Sequence, residues 1–302
     1  MVEARKVLPA LALLIIIVLS AVIWFYPPTG DFRVDNPFWN GMSVLGSQSG
    51  VVQLGSFSNL PSSGSGTSLI LVPYEQFSDS ELSELRSYVS SGGTLVLLDD
   101  YGYGNQVLTS FGLGMRFVGK PLVDPLFDYK NGQLPKITDF AALPVTANVS
   151  SVVFNHATAL SGTSDATIIA SSSSFSFIDE NSNDQFDSGD VAGPVPVAAY
   201  VKVAKGIVVA VGDPSCLING MISMDNNLLF INRVVDIQGG NQQVFVDQSH
   251  LPSAPLDEAK TVLATGYNFV ASPLGTLSLI ALALAVSLKS LLRRHDNNVK
   301  KR

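Results

Sequence analysis

Two long apolar runs lie near the two ends of the 302-residue chain, and the residues between them alternate like those of a globular domain. The first run covers residues 7–26 and the second covers residues 268–288, and neither contains a charged residue. A helix of about 20 apolar residues crosses a hydrocarbon core of roughly 30 Å. The pattern therefore predicts two transmembrane helices over these ranges, with one large domain between them.

Basic residues flank the two runs on the sides that face the chain ends. Arg5 and Lys6 precede the first run, and six Lys and Arg residues lie within 289–302. Cytoplasmic flanks of membrane helices are enriched in such residues. We therefore predict that residues 1–6 and 289–302 are cytoplasmic and that residues 27–267 form an extracytoplasmic domain at the cell membrane. A cleaved signal peptide is the alternative for the first run, but PPTGD after it offers no small-x-small cleavage site.

Between the two runs, one stretch has the pattern of a strand, a helix and a second strand. Ser68–Val72 and Thr94–Leu98 are continuous apolar strands. Ser78 and Glu81 have the spacing of a capping box, and the helix after them ends at Gly92. Buried strands joined by a helix at this spacing indicate a parallel sheet, so the predicted fold class is α/β.

The remaining elements are shorter, and residues 120–165 form an irregular, proline-containing insertion. Strands and helices are predicted from apolar spacing and from turn residues. The further predicted elements are a helix from Asn36 to Leu45, a strand at 51–54, a helix at 105–111, strands at 167–170 and 175–178, a hairpin of 195–203 with 207–211, a helix opening at 212–215, a helix at 227–235 and a strand at 244–246.

The net negative charge of the predicted domain limits the classes of partner that it can bind. Residues 27–267 contain 23 Asp and Glu but only 10 Lys and Arg. An acidic surface repels the phosphate backbone, so we expect no nucleic-acid partner. The single cysteine, Cys216, excludes an intrachain disulfide and leaves the compartment open.

The segments 68–111 and 207–235 resemble an uncharacterised family of prokaryotic membrane proteins. The strand SLILVPYEQFS, the helix SDSELSELRSYVSSGG, the strand TLVLLDDYGYGN and the late strand and helix from IVVAVGDPSC to NRVV carry the resemblance. Members of this family hold a class I glutamine-amidotransferase-like, flavodoxin-like domain between membrane helices. The resemblance implies a fold and a topology without an established activity, and it suggests a role in a membrane complex with a membrane or surface protein as partner.

Residues 179–190 have the spacing of a twelve-residue calcium loop. Calcium takes six to eight hard oxygen ligands, and the loop offers that many. Position 6 is Asp184 where glycine is usual, and position 12 is Asp190 where a longer glutamate is usual. A solvated acidic turn is the alternative to a structural calcium site. The predicted ligands are Asp179, Asn181, Asn183, the backbone carbonyl of Gln185, Asp187 and Asp190.

Polar side chains also follow the predicted parallel strands. Ligands of open α/β sheets bind beyond the carboxyl ends of the strands, so these residues predict a ligand crevice. The alternative is that Asp213 and Ser215 cap a helix start. The candidate crevice residues are Asp99, Asp100, Tyr101, Asn105, Asp213, Ser215 and Asn219.

The catalytic residues of an amidotransferase have no counterpart in this pattern. Such an enzyme needs a cysteine on a tight turn after a strand and a histidine base within reach, whereas TLVLL is followed by Asp99 and Asp100. Cys216 is predicted to be buried, and His156 and His250 to be surface or packing residues. We therefore expect no catalytic residues and a non-catalytic interaction or sensing module, in effect a pseudoenzyme. The alternatives are a hydrolase or transferase that uses strand-end carboxylates, and an envelope structural protein stiffened by calcium.

Overall fold

The computed structural model describes residues 2–299 of the chain, with side chains described for residues 8, 9, 11–285 and 287–289. Two compact units are present: Pro27–Pro252 is one, and the residues up to Tyr26 together with those from Ser253 onward form the other. The first unit ends before residue 267, the boundary expected from hydropathy. The predicted segment 1–6 and the basic side chains beyond Lys289 lie outside the described side chains.

The first unit contains most of the secondary structure. Its helices are α2 Ser43–Gly46, α3 Asp79–Ser90, α4 Gly104–Ser110 and α5 Asn227–Val235. Its strands are β1 Val51–Leu54, β2 Thr67–Leu71, β3 Thr94–Leu98, β4 Arg116–Phe117, β5 Leu122–Val123, β6 Lys136–Ile137, β7 Asp139–Phe140, β8 Val152–Val153, β9 Leu160–Ser161, β10 Thr167–Ser171, β11 Phe177–Ile178, β12 Val191–Ala192, β13 Pro196–Val203, β14 Gly206–Val211 and β15 Gln243–Asp247.

An eight-stranded sheet forms the centre of this unit, with the strand order β1-β15-β2-β3-β14-β13-β10-β7. The first five strands run parallel to one another. The last three continue the sheet in antiparallel pairs. The α/β class and the large, mostly parallel sheet are therefore confirmed.

Helices cover both faces of the sheet because successive strand residues point to opposite sides. Leu69 of β2 belongs to the core beneath α3, together with Leu85 of that helix. Ile70, the next residue, belongs to the core beneath α5, together with Ile231. Burying one such side chain contributes roughly 1.5–3 kcal/mol to the stability of the fold. Strands that are apolar on both faces therefore stabilise the packing of a helix layer on each face.

The predicted capping box at the start of α3 is confirmed. The Ser78 hydroxyl accepts a hydrogen bond from the Glu81 amide at 3.4 Å. The Glu81 carboxylate accepts one from the Ser78 amide at 2.8 Å. These two bonds satisfy amides that the helix itself leaves without an acceptor.

Two predicted helices are wrong in extent. The helix expected from Asn36 is only the single turn of α2, because the Asn36 side chain accepts the Phe38 amide at 2.8 Å and folds the chain into a turn. The helix expected after residue 212 is a short 3-10 turn, Ser215–Leu217. In both places a polar side chain bonds its own neighbouring backbone, which competes with helix formation.

Short strands from the insertion and from the segments on either side of it form small sheets beside the main one. β11 lies between β12 and β5 in a three-stranded sheet, and β4–β9 and β6–β8 form separate pairs. The strand predicted at 175–178 is reduced to β11, Phe177–Ile178, within this three-stranded sheet. The loop between β11 and β12 is the predicted calcium loop.

The second unit contains three helices, α1 Val2–Phe25, α6 Pro255–Ala271 and α7 Pro273–Val299. Among the described residues, none of the helices is by itself both long and apolar enough to cross a membrane. The segments Pro255–Ala271 and Pro273–Lys289 reach that length and hydropathy only as a pair, and they are bent by 74° at the break between them.

Candidate functional site

The carboxyl ends of β3 and β14 bring acidic residues together. The two strands are parallel neighbours, and Leu98 pairs with Val211. Asp99 and Asp100 directly follow β3, and Asp213 follows β14 by two residues. Because the two strands end side by side, the three acids lie at one edge of the sheet. All three residues are buried.

Asp99 holds the loop that leads into α4. Its two carboxylate oxygens accept the amides of Gly102 and Gly104, each at 2.7 Å. A Cβ atom at Gly104 would lie 2.5 Å from the nearer Asp99 oxygen, and one at Gly102 would lie 2.4 Å from the carbonyl oxygen of Pro73. Both positions therefore require glycine, because the loop wraps tightly around the carboxylate.

Asp213 is fully buried and links two segments. One carboxylate oxygen accepts the Ser215 amide at 2.7 Å, and the other accepts the Asn155 amide at 3.0 Å. Ser215 contributes its backbone amide to this bond. The Asp213 bond to Ser215 closes a local turn beside Pro214, the N-cap residue of the 3-10 turn, so it resembles the capping alternative in satisfying a free amide there.

Burial makes these carboxyl groups resist ionisation. It raises the pKa of Asp99 to about 6, although the two glycine amides oppose the shift. Burial likewise raises the pKa of Asp213 well above its usual range, and the pKa of Asp100 is raised for the same reason. The charge of Asp100 adds to the shift in both neighbours, because two adjacent negative charges repel each other.

Two tyrosines border the three acids. Tyr74, which follows β2, donates a hydrogen bond to Asp100, and burial followed by repulsion from the acids raises its pKa. Tyr101 is partly exposed, and burial raises its pKa to about 12, with smaller contributions from Asp100 and Asp213. The sequence interpretation missed Tyr74, although the same strand-end rule applied to β2 would have included it.

The two asparagines of the predicted crevice are engaged in local structure. The Asn105 amide group exchanges two hydrogen bonds, each 2.9 Å long, with the backbone of Phe117. The Asn219 side chain donates to the Phe38 carbonyl at 2.7 Å and accepts the Val44 amide at 2.9 Å. The structure thus gathers Asp99, Asp100, Tyr101 and Asp213 and directs both asparagines to neighbouring loops.

A second polar group lies at the end of β15, and the sequence interpretation did not include it. His250 is buried and stacks on Phe77, with ring centroids 4.2 Å apart. Its Nδ1 lies 3.0 Å from a carboxylate oxygen of Asp247, and its Nε2 lies 3.4 Å from Glu81. Of the two predicted roles for His250, surface or packing, its burial agrees with packing. The sequence signal for its partner was Asp247, at the end of an apolar strand.

The thiol of Cys216 lies inside the core, as predicted. It is fully buried and donates to the Asp213 carbonyl oxygen at 3.1 Å. Burial and the nearby Asp213 carboxyl raise the pKa of the thiol well above its usual range. Such a thiol is a poor nucleophile, since the thiolate is the reactive form. His156, by contrast, lies on the surface.

The acidic loop 179–190 is closed by carboxylates at both of its ends. Asp179 is fully buried and accepts the amides of Asn183 at 3.2 Å and Asp184 at 2.7 Å. Asp190 accepts the amide of Glu180 at 3.0 Å and that of Asp187 at 2.9 Å. The two ends of the loop are therefore fixed by backbone-to-carboxylate bonds.

Three of the predicted ligand side chains converge within this loop. The side-chain amides of Asn181 and Asn183 lie 2.8 and 3.2 Å from the same Asp187 oxygen. The Gln185 amide donates to the Asn183 side chain at 2.8 Å. Asp184 has a φ of 60°, so position 6 adopts the turn for which calcium loops use glycine.

The described part of the chain contains no metal site made of His, Cys, Asp and Glu side chains alone. No three His, Cys, Asp or Glu side chains there are placed so that they could hold a metal ion. A calcium site in the loop would also need asparagine and backbone oxygens, whereas Asn181 and Asn183 here direct their side-chain N–H groups at Asp187.

Several solved structures share part of this fold at low identity. The N-terminal domain of mmIFT52 has a TM-score of 0.44 and 13% identity, covering 65% of this chain and 79% of that chain. A ThuA-like protein from Bacteroides uniformis ATCC 8492 has a TM-score of 0.37 and 17% identity, with coverages of 60% and 73%. A β-galactosidase from Bacillus circulans sp. alkalophilus has a TM-score of 0.37 and 14% identity, with coverages of 57% and 22%. Likeness at this level supports no conclusion about function.

A comparison with curated proteins finds no match. A family model described as a domain of unknown function, DUF4350, matches residues 38–235. The matched region extends from the turn before α2 to the end of α5 and contains all three strand-end acids as well as the acidic loop. Since the match covers more than half of the chain, this protein belongs to the DUF4350 family.

Proposed function

We propose that this chain is a non-catalytic interaction module that is anchored in the cell membrane and belongs to a membrane complex. The observation that carries the proposal is the use made of the strand-end acids. Both oxygens of Asp99 and both oxygens of Asp213 accept backbone amides. Carboxylates that hold loops in this way serve the structure of the domain, whereas a catalytic acid needs an oxygen directed at substrate.

The same domain is proposed to be a pseudoenzyme with an amidotransferase-like arrangement. Helices on both faces of a mostly parallel sheet support this proposal. The position after β3, where such enzymes carry their cysteine, is occupied by Asp99. The thiol of Cys216 is buried against Asp213 and has a raised pKa, which disfavours the reactive thiolate.

Anchoring is proposed through residues 7–26 and 268–288, with the domain outside the cytoplasm and both termini inside. Apolar side chains along the described part of α1 and α7 support it, since Leu14 and Leu282 are both more than half exposed. Exposing such side chains to water is unfavourable, and lipid removes that cost. The basic residues next to each run set the proposed orientation.

Single-cysteine labelling of intact cells tests this topology. A cysteine at exposed Ser62 is expected to react with a membrane-impermeant reagent, while a cysteine at Lys300 is expected to react only after lysis. Equal reactivity of both positions in sealed cells would contradict the orientation. A cysteine at Leu85, which is fully buried, serves as the control for labelling of unfolded protein.

Co-purification from native membranes tests the interaction role. The full chain is expected to retain a partner protein at constant stoichiometry, and Asp100→Asn, which preserves the size of the side chain, is expected to retain it equally. The absence of any partner above the level of a control membrane protein would overturn the proposal.

A hydrolase or transferase that uses the strand-end acids is the second candidate. The observation that favours it is the group of shifted acids, since the pKa of Asp99 is raised to about 6 and that of Asp100 is also raised. Clusters of shifted groups are enriched at active sites. A cellular function that disappears in Asp100→Asn, with an unchanged melting temperature and an unchanged partner, would favour this candidate.

Calcium in the loop 179–190 is proposed as a structural ligand, and it suits either an interaction module or a stiffened envelope protein. The positive φ of Asp184 and the twelve-residue spacing of the candidate ligands support this proposal. The predicted ligands Asp179, Asn181, Asn183, Gln185, Asp187 and Asp190 would supply side-chain and carbonyl oxygens around the ion.

A further inference from the structure

Two phenylalanine side chains stack on each other at the surface of the domain. Phe127 lies between β5 and β6, Phe175 lies between β10 and β11, and their ring centroids are 6.0 Å apart. The two residues are nevertheless 42% and 54% exposed, and Leu126, which precedes Phe127, is 64% exposed. We call these three residues the aromatic patch. Apolar side chains that cluster on the surface of a globular domain mark a contact with something other than water.

A buried aspartate fixes both segments of the aromatic patch. One carboxylate oxygen of Asp124 accepts the amides of Leu126 at 3.1 Å and Phe127 at 2.9 Å. The other oxygen accepts the Ser173 hydroxyl at 2.6 Å, and that hydroxyl accepts the Phe175 amide at 3.1 Å. One carboxylate therefore holds the backbone at both rings. A surface that is ordered before it binds loses less entropy when a partner arrives.

The segments that carry the patch are acidic. Residues 124–136 and 173–191 together contain seven Asp and Glu but only two Lys. One of these lysines, Lys136, forms an ion pair with Asp225 at 2.7 Å. Such a surface attracts basic partners and repels acidic ones. A second copy of this chain is therefore disfavoured, because residues 27–267 contain 23 Asp and Glu against 10 Lys and Arg.

A cleft beside the aromatic patch has a carboxylate on each of the two segments. Asp128, which directly follows Phe127, lines this cleft together with Gln133 and Asp184. The Gln133 side chain donates to the Asp184 carboxylate at 2.7 Å and joins the two segments. Lys and Arg side chains are the natural partners of carboxylates at an interface. The cleft therefore suits a basic side chain.

We infer that the aromatic patch and this cleft bind a segment of a partner protein in which an apolar side chain lies beside a lysine or an arginine. The inference rests on the proposed interaction role, to which it adds the binding surface and the chemistry of the partner. The apolar side chain packs on Phe127 and Phe175, and the cation enters the cleft between Asp128 and Asp184. Aromatic anchors supply affinity, and complementary charges fix the register of the bound segment.

Photo-crosslinking of the full chain in its native membranes tests the inference. The crosslinker p-benzoylphenylalanine is placed at Leu126, which leaves the phenylalanine pair intact, and the control places it at Val52, an exposed residue of the edge strand β1. Mass spectrometry then identifies the contacted residues. We expect Leu126 to crosslink to one segment of a membrane or surface protein that carries Lys or Arg beside the contacted apolar residue. The Val52 position is expected not to contact that segment.

A synthetic peptide of the crosslinked segment then measures the affinity of the full chain in calcium-free detergent solution. Phe175→Ser is expected to raise the Kd about tenfold, as for a hot-spot residue. Asp184→Asn keeps an acceptor for Gln133 and a φ that asparagine tolerates, so it removes only the charge. It is expected to raise the Kd and to weaken the dependence of binding on salt. Asp165→Asn, at an exposed acid outside both segments, is the control, and unchanged melting temperatures show that the variants fold.

Several results would overturn the inference while co-purification still yields a partner. A Leu126 crosslink to lipid alone would identify a membrane contact, and one to a second copy of this chain would identify an interface between copies. A missing crosslink, or a Kd that neither Phe175→Ser nor Asp184→Asn changes, would place the partner elsewhere on the chain. If the native chain retains no partner at all, the proposed interaction role fails together with the inference.

Discussion

The strand-end acids and the acidic loop use the same side chain in opposite environments. Asp99 and Asp213 are buried, and burial raises the pKa of both. Asp187 lies on the surface, and hydrogen bonds from Asn181 and from the Gly189 amide lower its pKa. A buried carboxyl group contributes by holding backbone amides and resists its own charge, whereas an exposed one keeps its charge available for a cation. An aspartate in this sequence can therefore play either of two roles, and its burial decides which one.

Removing a buried acid should have the largest effect. Asp213→Ala leaves the amides of Ser215 and Asn155 without their acceptor, and each unsatisfied buried group costs about 1–3 kcal/mol. We expect the free energy of unfolding to fall by about 2–4 kcal/mol, measured by urea denaturation of the full chain in detergent. Asp165→Ala, at an exposed acid outside both regions, is the control. A loss no greater than that of the control would contradict the loop-holding role.

The pH dependence of stability should be the next largest effect. Because the pKa of Asp99 is about 6 in the folded chain against an ordinary 3.8, the folded state retains a proton that the unfolded state has released between these values. The contribution of Asp99 to the free energy of unfolding is therefore largest at low pH, and it is lost as the pH rises from about 4 to about 6. The difference corresponds to roughly 2–3 kcal/mol.

Asp99→Asn isolates that contribution, since asparagine does not titrate in this range. We expect the native chain to lose about 2–3 kcal/mol more than the variant between pH 4 and pH 7, when unfolding is measured at several pH values. Comparing the two slopes cancels any constant cost of the substitution. Parallel pH profiles would show that Asp99 is ionised as easily in the fold as in water.

Calcium should have a smaller effect, and one confined to the exposed region. At millimolar calcium, a site with a Kd of about 10⁻⁴ to 10⁻³ M stabilises the fold by about 1–2 kcal/mol, or a few degrees in melting temperature. Asp187→Ala removes a charged ligand at an exposed position and should abolish the shift, while Asp165→Ala should preserve it. A melting curve that is identical in calcium and in chelator would identify the loop as a simple acidic turn.

The smallest effect is expected at Cys216, in the buried region. Cys216→Ser keeps a hydrogen-bond donor toward the Asp213 carbonyl oxygen. We expect a change in unfolding free energy of about 1 kcal/mol or less, within the range for conservative substitutions, and unchanged partner retention. Loss of cellular function in a folded variant would show that the thiol acts chemically despite its burial.

Continuous apolar strands and strong caps were predictable from the sequence. Thr94–Leu98 is β3 as predicted, and Ser78 and Glu81 form the expected capping box. In these places local preference and burial favour the same structure. Asn36 and Asp213 were harder, because a side chain that caps a helix can equally close a turn, and the choice depends on the surrounding contacts.

The sequence predicted where the candidate site lies, but it did not predict what its side chains bind. The strand-end rule located Asp99, Asp100 and Asp213 at one edge, but it could not show that their oxygens bind backbone amides. Nor could it show which strands are neighbours, since the insertion of β15 between β1 and β2 depends on pairing across most of the chain. That pairing is why Asp247 and His250 were not recognised beside Glu81.

The position of β15 also sets the order in which the domain can be completed during synthesis. Val244 lies between Val51 of β1 and Ser68 of β2, so a strand made late fills a gap between two strands made early. Until residue 247 has been synthesised, β1 and β2 each present an open edge, which is a template for pairing with other chains. A growing chain thus holds an unfinished sheet throughout the synthesis of the insertion. The gap between β1 and β2 closes only after β15 has been synthesised.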